Sequence, residues 1–341
     1  MRITYKMMTT KYTTNLNNMS TELDRLNTQV ASGRKFAKTS EDTSSAIKAY
    51  QIRRDLAKLD GYQNNIAHAS DYLTNSETNL GDITETLADA TDKILQGKND
   101  TQNPDTRKII ANELRVMQKQ MLDTLNSKVG DSYIFGGSNT VEKPFTVDED
   151  GKLLYNKIDV DSLDDSTQAL KDTLNNLKAD SLYVDIGLGV SVDSAGTVNP
   201  NTIFNYSIPG INIVGNGTTT IDGIAGNVSN NAYNLLGKIA EQFESANYSS
   251  DITDKLFGKF QSATSQASKA TTEIGAKANY LEFMKERYDS QELNLQTRQT
   301  EVEGIDAAYT YISFQTQKVA YQAALQMGNS IIQSSVFDYM S

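Results

Sequence analysis

The 341-residue chain contains no cysteine, no tryptophan, one histidine and four prolines. Without cysteine there is no disulfide, no thiolate zinc ligand and no catalytic thiol. A single histidine, His68, excludes the two-histidine pattern of a zinc peptidase, and between Ile66 and Leu73 it reads as a polar or interface position on a helix. No apolar run reaches 18 residues, and the opening MRITYKMMTTK lacks the apolar core of a cleaved secretory signal, so the reading is a soluble protein or one exported by a route that needs no such signal. Positive charge is also in deficit: 32 Lys and Arg against 43 Asp and Glu give a net charge of -11, which argues against nucleic acid as a partner, and no membrane partner is expected. The prolines, Pro104, Pro144, Pro200 and Pro209, all fall in the middle of the chain, leaving both ends free to form long helices.

Both ends carry the periodicity of long helices. Ile52, Leu59, Ile66, Leu73, Leu80, Leu87 and Ile94 recur every seven residues, with Ile83 and Ala90 between them, which predicts a coiled-coil-like helix from a capping box at Thr39 and Asp42 to Gly97. At ~1.5 Å per residue such a helix is roughly 80 to 90 Å long. A second helix is expected from Asn103, with Pro104 at its first position, through Ile109, Ile110, Leu114, Met117, Met121, Leu122 and Leu125 to Gly130, folded back antiparallel across a short loop. Towards the C-terminus helix resumes at Asn231, breaks near residues 247 to 251, and continues with Ile274, Leu281, Tyr288, Leu295, Val302 and Tyr309 spaced by seven, while Met284, Ile305, Ile312 and Val319 fill the intermediate positions.

Between these halves the texture changes. FTVDEDGKLLY alternates around Asp150 and Gly151 as a hairpin does; SLYVDIGLGVSV, FNYSIPGINIVG and GTTTIDGI read as further strands, with one amphipathic helix at about 165 to 178. The fold class is therefore mainly α with an inserted β-rich domain, a long antiparallel helical bundle built from N- and C-terminal segments. The expected divisions are 1–40 with 303–341 (terminal helices), 41–139 with 230–302 (bundle) and 140–229 (outer domain).

The chain ends carry their own signals. Leu16, Met19, Leu23, Leu26 and Val30 form a strict two-position seam. From Ala307 to Phe337 Lys318 is the only charged residue, and Leu325 and Ile332 extend the apolar content beyond Val319. A lone surface helix carries charge on its outer face, so one this neutral expects contacts on several sides. Two readings stay open: the ends pair with each other within one chain, or they build the core of a polymer.

Catalytic chemistry finds no anchor. DEDGK at 148 to 152 has the glycine of a calcium loop, but the first and twelfth loop positions would be Thr146 and Lys157. Ser32 and Lys35 match S-x-x-K without its companion motifs, Gly187, Gly189 and Gly196 do not reach dinucleotide-loop spacing, and no phosphate-binding G-x-x-x-x-G-K-[ST] occurs. No catalytic residue, cofactor site or metal site is expected.

The opening MRIT, the seam ending in LNTQVASGRKFAKTSED, and the neutral C-terminal helix resemble the flagellin superfamily, whose terminal helices form the inner tube of the bacterial flagellum. Within it GDSYIFGGSNTVEKPF and the ending AYQAALQMGNSIIQSSVFDYM are similar to the hook-associated protein 3 (FlgL) family. The resemblance implies a structural adaptor joining the first hook-associated protein to the flagellin filament, assembled as a ring of copies of itself and exported by the flagellar type III apparatus, with a chaperone on the C-terminal helix beforehand. By it, Leu16, Met19, Leu23, Leu26, Val30, Ile305, Tyr309, Ile312, Val319, Leu325 and Ile332 are assembly contacts, and Tyr133, Phe135, Gly136, Gly137 and Phe145 form an interdomain junction. A filament flagellin is the alternative within the superfamily, and a soluble coiled-coil scaffold or signalling protein is the alternative on periodicity alone.

Overall fold

A computed structural model describes residues 2–99, 103–163, 167–194, 196, 198–224 and 226–337, with side chains from 6 to 328. Its main helices are α1 (Arg2–Ser32), α2 (Thr43–Lys98) and α3 (Pro104–Leu125). Two short strands follow, β1 (Lys128–Val129) and β2 (Ser132–Tyr133), then β3 (Phe145–Val147), β4 (Leu153–Tyr155) and β5 (Ile158–Asp159). The remainder is α4 (Gln168–Ala179), β6 (Tyr183–Val184), β7 (Phe204–Asn205), α5 (Ile211–Val214), β8 (Thr218–Thr220), β9 (Asn227–Ser229), α6 (Ala232–Glu244), α7 (Ser250–Glu303) and α8 (Ala307–Phe337). The chain packs as two compact units, 1–60 with 288–341 and 61–287.

The heptad seam of α2 is buried along its length: Ile66, Leu73, Leu80, Ile83, Leu87, Ala90 and Ile94 are at most 1% exposed. Fully burying each Leu or Ile is worth roughly 1.5–3 kcal/mol relative to water, which is why a helix this rich in Thr and Asn holds together. The hydroxyls of Thr74, Thr78, Thr84, Thr86 and Thr91 satisfy themselves on the carbonyl four residues earlier. The second unit completes its core with Leu114, Met121 and Leu125 of α3, Leu235, Leu236, Ile239 and Phe243 of α6, and Leu256, Phe260, Ile274 and Leu281 of α7. The helices α3 and α6 approach closely, with Gln118 Nε2 donating to the Tyr233 carbonyl at 2.9 Å and Arg115 clamping Glu244 through two bonds of 2.9 and 2.8 Å. Lys93 meets Glu113 at 2.6 Å, as the antiparallel return of α3 along α2 requires.

Several expected boundaries move. The cap of α2 is Asp42 rather than Thr39, because Asp42 Oδ1 accepts from the Ser45 amide at 3.0 Å. Asn103 caps α3 through the Thr106 amide as expected, but α3 ends at Leu125 rather than Gly130. Asn126 stops it there: its Nδ2 takes the Leu122 and Phe145 carbonyls while its Oδ1 accepts from Phe145 N, so one side chain terminates a helix and pins the start of β3. Residues 128–133 then form a small hairpin about Gly130, which sits at φ +60°.

The outer segment is less regular than its alternation suggests. The hairpin β3–β4 is present, with Asp148 Oδ1 accepting from the amides of Asp150 and Lys152, so this carboxylate holds the turn. In SLYVDIGLGVSV only Tyr183 and Val184 pair as a strand, since Gly187 and Gly189 take positive φ and turn the backbone away. INIV is not a strand but the helix α5, initiated by Pro209 and Gly210, whose carbonyls accept from Asn212 and Ile213. The expected helix at 165 to 178 begins at Gln168 behind Thr167 as cap; Asp165 lies outside the described residues.

In the first unit α1 packs against α8. The seven-residue spacing across Val302 and Tyr309 is not one helix, because Glu303 ends α7 and Asp306 Oδ1 starts α8 by accepting from Tyr309 N at 3.0 Å.

Candidate assembly surface and aromatic junction

In α1 the two-position seam faces its partner as expected: Leu26 is buried and Leu16, Met19, Leu23 and Val30 are half-buried. In α8 the inward face is Thr310, Phe314, Gln317, Tyr321, Ala324 and Gly328. Tyr12 Oη donates to the Ala324 carbonyl at 2.8 Å, and Gln317 Nε2 to the Met19 carbonyl at 3.3 Å. Gly328 sits against the Tyr12 hydroxyl, where a Cβ would collide with it. Backbone carbonyls within reach of long polar side chains need small residues at the crossing, and Ala324 and Gly328 supply them.

That choice of face leaves the expected assembly contacts turned outward. Tyr309 is 71% exposed, Ile312 65% and Val319 63%; Leu325 is also exposed and Ile305 half-buried. These residues therefore do not extend the intramolecular seam. With Met327, Tyr309, Ile312 and Val319 form an open apolar stripe down α8, and Met7 and Met8 are likewise open on α1. Ile332 lies outside the residues whose side chains are described. The ends do pair within one chain, and the pairing leaves this second face uncovered.

The junction residues converge in the second unit. Phe135 and Phe145 are 1% and 0% exposed, with Tyr133 half-buried in β2 under the Lys128 ammonium, 4.4 Å from the ring centre. The carbonyl of Phe135 accepts from Gly210 N at 2.9 Å and from Tyr155 Oη at 3.2 Å, and the Ile134 carbonyl accepts from Tyr72 Oη at 2.5 Å. Burial pushes both tyrosine hydroxyls well above their ordinary pKa, for Tyr155 with help from the Asp180 charge, so they remain donors. Phe145 and Tyr155 lie 5.0 Å apart, and the Phe145 ring occupies the space where a Cβ on Gly210 would be. At Gly137, with φ +70°, a Cβ would lie 2.6 Å from Asp180 Oδ2, an atom that accepts from Ser138 N; at Gly136 it would strike the Asn139 carbonyl. The expected Gly pair is thus a place where backbone is packed on backbone.

Sequence reasoning missed Tyr72, Tyr155 and Gly210, which complete this junction from α2, β4 and the start of α5. It also missed Asp161, whose Oδ1 accepts from Ser229 Oγ at 2.6 Å and Asn231 Nδ2 at 2.9 Å while Oδ2 accepts from Asn234 Nδ2 at 2.9 Å, joining the outer segment to α6. Desolvation raises the Asp161 pKa, against the hydrogen bonds that favour the charged form. No local motif announces any of these; each works through residues distant in sequence. The S-x-x-K match is accidental, since Ser32 Oγ bonds the Thr28 carbonyl and Lys35 Nζ the Glu301 carbonyl. His68 is exposed on α2. Among the described residues no group of three or more His, Cys, Asp or Glu is placed to hold a metal ion, and no helix is long and apolar enough to cross a membrane.

Residues 3–140 match the family model of the bacterial flagellin N-terminal helical region. The chain is 27% identical over 146 residues to flagellar hook-associated protein 3 of Salmonella typhimurium, covering 42% of this chain and 46% of that protein. It is 22% identical over 205 residues to the same protein of Escherichia coli, covering 60% and 63%. The match thus spans about half of one curated relative and under two thirds of the other. Among solved structures, a Vibrio parahaemolyticus chain assigned as a flagellar hook-associated protein superposes with TM-score 0.59 at 19% identity, covering 77% of this chain and all of that one. FlgL of Xanthomonas campestris superposes at 0.52 with 16% identity over 73% and 99% of the two chains, which shows a common fold. Residues 3–140 are thus similar to the bacterial flagellin N-terminal helical region, and parts of the chain are similar to flagellar hook-associated protein 3.

Proposed function

We propose that this protein is a structural component of the bacterial flagellum, an adaptor between the hook, through the first hook-associated protein, and the flagellin filament. The observation that carries the reading is the open, nearly charge-free stripe of Tyr309, Ile312, Val319 and Met327 in a chain whose other end matches the flagellin N-terminal helical region. An apolar face of this kind on a soluble helix marks a contact surface, and copies of this chain in a ring, with flagellin above and the hook-associated protein below, supply contacts on several sides. Residues 1–40 and 303–341 serve as the assembly domain, 41–139 and 230–302 as the bundle and 140–229 as the outward domain. Export through the flagellar type III apparatus, with a chaperone holding α8 by helix-in-groove recognition, completes the scheme. The role is structural, not enzymatic.

Immunogold electron microscopy with antibody to residues 145 to 225 tests it. Label at a single spot between hook and filament supports the adaptor; label along the filament identifies a flagellin instead. Absence of label from flagella removes the flagellar reading. For the chaperone, Ile312→Asp with Val319→Asp is expected to weaken binding at least tenfold, and unchanged affinity places the contact elsewhere.

The similarity of the aromatic junction to the hook-associated branch favours the adaptor over the filament reading.

A further inference from the structure

Two chain breaks meet in the first unit. Gly33, at φ +69°, ends α1, and Glu303 ends α7. Arg34 and Gly304 form an isolated antiparallel bridge between them; Lys35 N donates to the Glu303 carbonyl at 2.7 Å, Ile305 N to the Gly33 carbonyl at 3.2 Å, and Lys35 Nζ to the Glu301 carbonyl at 2.9 Å. A side chain at Gly304 would run into the Thr300 carbonyl.

At this bridge lies a buried carboxylate. The Glu303 side chain is 5% exposed although the arginines that neutralise it, Arg34 and Arg53, are 52% and 43% exposed. Arg53 of α2 binds it through both carboxylate oxygens, at 2.8 Å from Nε to Oε1 and through Nη2 to Oε2. Arg34 Nε stands 3.5 Å from Oε2, and Gln299 Nε2 donates to Oε1 at 3.4 Å. Burying a carboxylate costs solvation free energy that the ion pairs recover only when geometry is fixed, so such a group specifies an arrangement more than it adds net stability. Here the arrangement joins α2, the connector after α1 and the end of α7. Farther along, α1 and α8 are held by the buried Leu26 and Thr310, by half-buried side chains, and by the bonds of Tyr12 to Ala324 and Gln317 to Met19.

We propose that Arg34, Glu303 and Arg53 form a clasp that makes the α1–α2 and α7–α8 breaks a single hinge, so that the two terminal helices are retained or released together as one hairpin. The clasp rests on the geometry of the first unit and holds whether or not the chain assembles into a flagellum.

Hydrogen exchange of the full-length protein, read by mass spectrometry, tests it. Glu303→Gln keeps volume and removes charge; it is expected to speed exchange about tenfold in peptides of both α1 (16–30) and α8 (310–324), while α3 and α6 stay as protected as before. Arg53→Lys keeps charge but loses the two-point bond, and should produce a smaller effect in the same two helices. Raising salt from about 0.05 to 1 M should speed exchange in the wild type and not in Glu303→Gln, since the arginines are open to screening. Glu22→Gln, which removes the surface pair with Arg25, is the control. Unchanged exchange in both helices, acceleration in only one of them, or an equal effect of Glu22→Gln overturns the clasp. If Glu303→Gln also loses α3 and α6 protection, it has unfolded the chain, and Arg53→Lys decides by the same criteria.

Discussion

At the scale of single residues, this fold depends on places where a methyl group does not fit. Gly210 is one: its backbone amide serves the Phe135 carbonyl while the Phe145 ring fills its side-chain space. Gly210→Ala is expected to cost about 1–3 kcal/mol by overpacking, read as a lower denaturant midpoint for the second unit. Two carboxylates make opposite contributions to pH dependence. Glu303 is held below the ordinary glutamate range by its bond to Arg53, so the stability it gives is present above that range and lost as pH falls through its lowered pKa. Asp161 is raised chiefly by desolvation, with Asp159 adding repulsion and Ser229, Asn234 and Asn231 opposing it, so its folding contribution is fully present below the ordinary aspartate range and lost as pH rises through the raised pKa. Acidification from neutral pH should therefore relieve the second unit before it loosens the first. Residue-resolved exchange between pH 7 and 4, corrected for intrinsic rates, checks the order, and Asp161→Asn should abolish the response around α6.

At the scale of elements, legibility follows the length of the repeat. The seam of α2 was readable because every seventh residue from Ile52 to Ile94 is apolar, and each of them is buried within its own unit. Leu80→Ala is expected to cost about 2–5 kcal/mol, measured by urea unfolding, whereas change at an exposed position such as Ile109 should stay within about 0.5 kcal/mol. In α8 the periodic apolar positions are not those turned to α1: Tyr309, Ile312 and Val319 are more apolar than Thr310, Gln317 and Gly328, but contact with α1 is set by close backbone approach. Apolarity predicts burial only where the partner buries by area. The strand expected at INIV failed because four apolar residues carry no period, and the turn at Pro209 and Gly210 decided. Asn126 ended α3 early through bonds to residue 145, which lies 19 positions on. The Gly pair and aromatics of the junction were legible locally; Tyr72, 62 residues before Ile134, was not.

At the scale of the whole molecule, a cysteine-free chain keeps its oxidisable sulfur in methionine, and the nine methionines are unequally placed. Met121 and Met284 are 1% and 2% exposed inside the second unit, while Met7, Met8 and Met327 are 68%, 57% and 63% exposed on the terminal helices. Peroxide should add oxygen to Met7, Met8 and Met327 well before Met121 and Met284, as peptide mass mapping will show. Sulfoxide is polar, so oxidative stress would turn the open stripe of α8 hydrophilic while the core stays chemically untouched. The surface proposed above for association is then the part that oxidants reach first, while Met121 and Met284 stay shielded in the second unit.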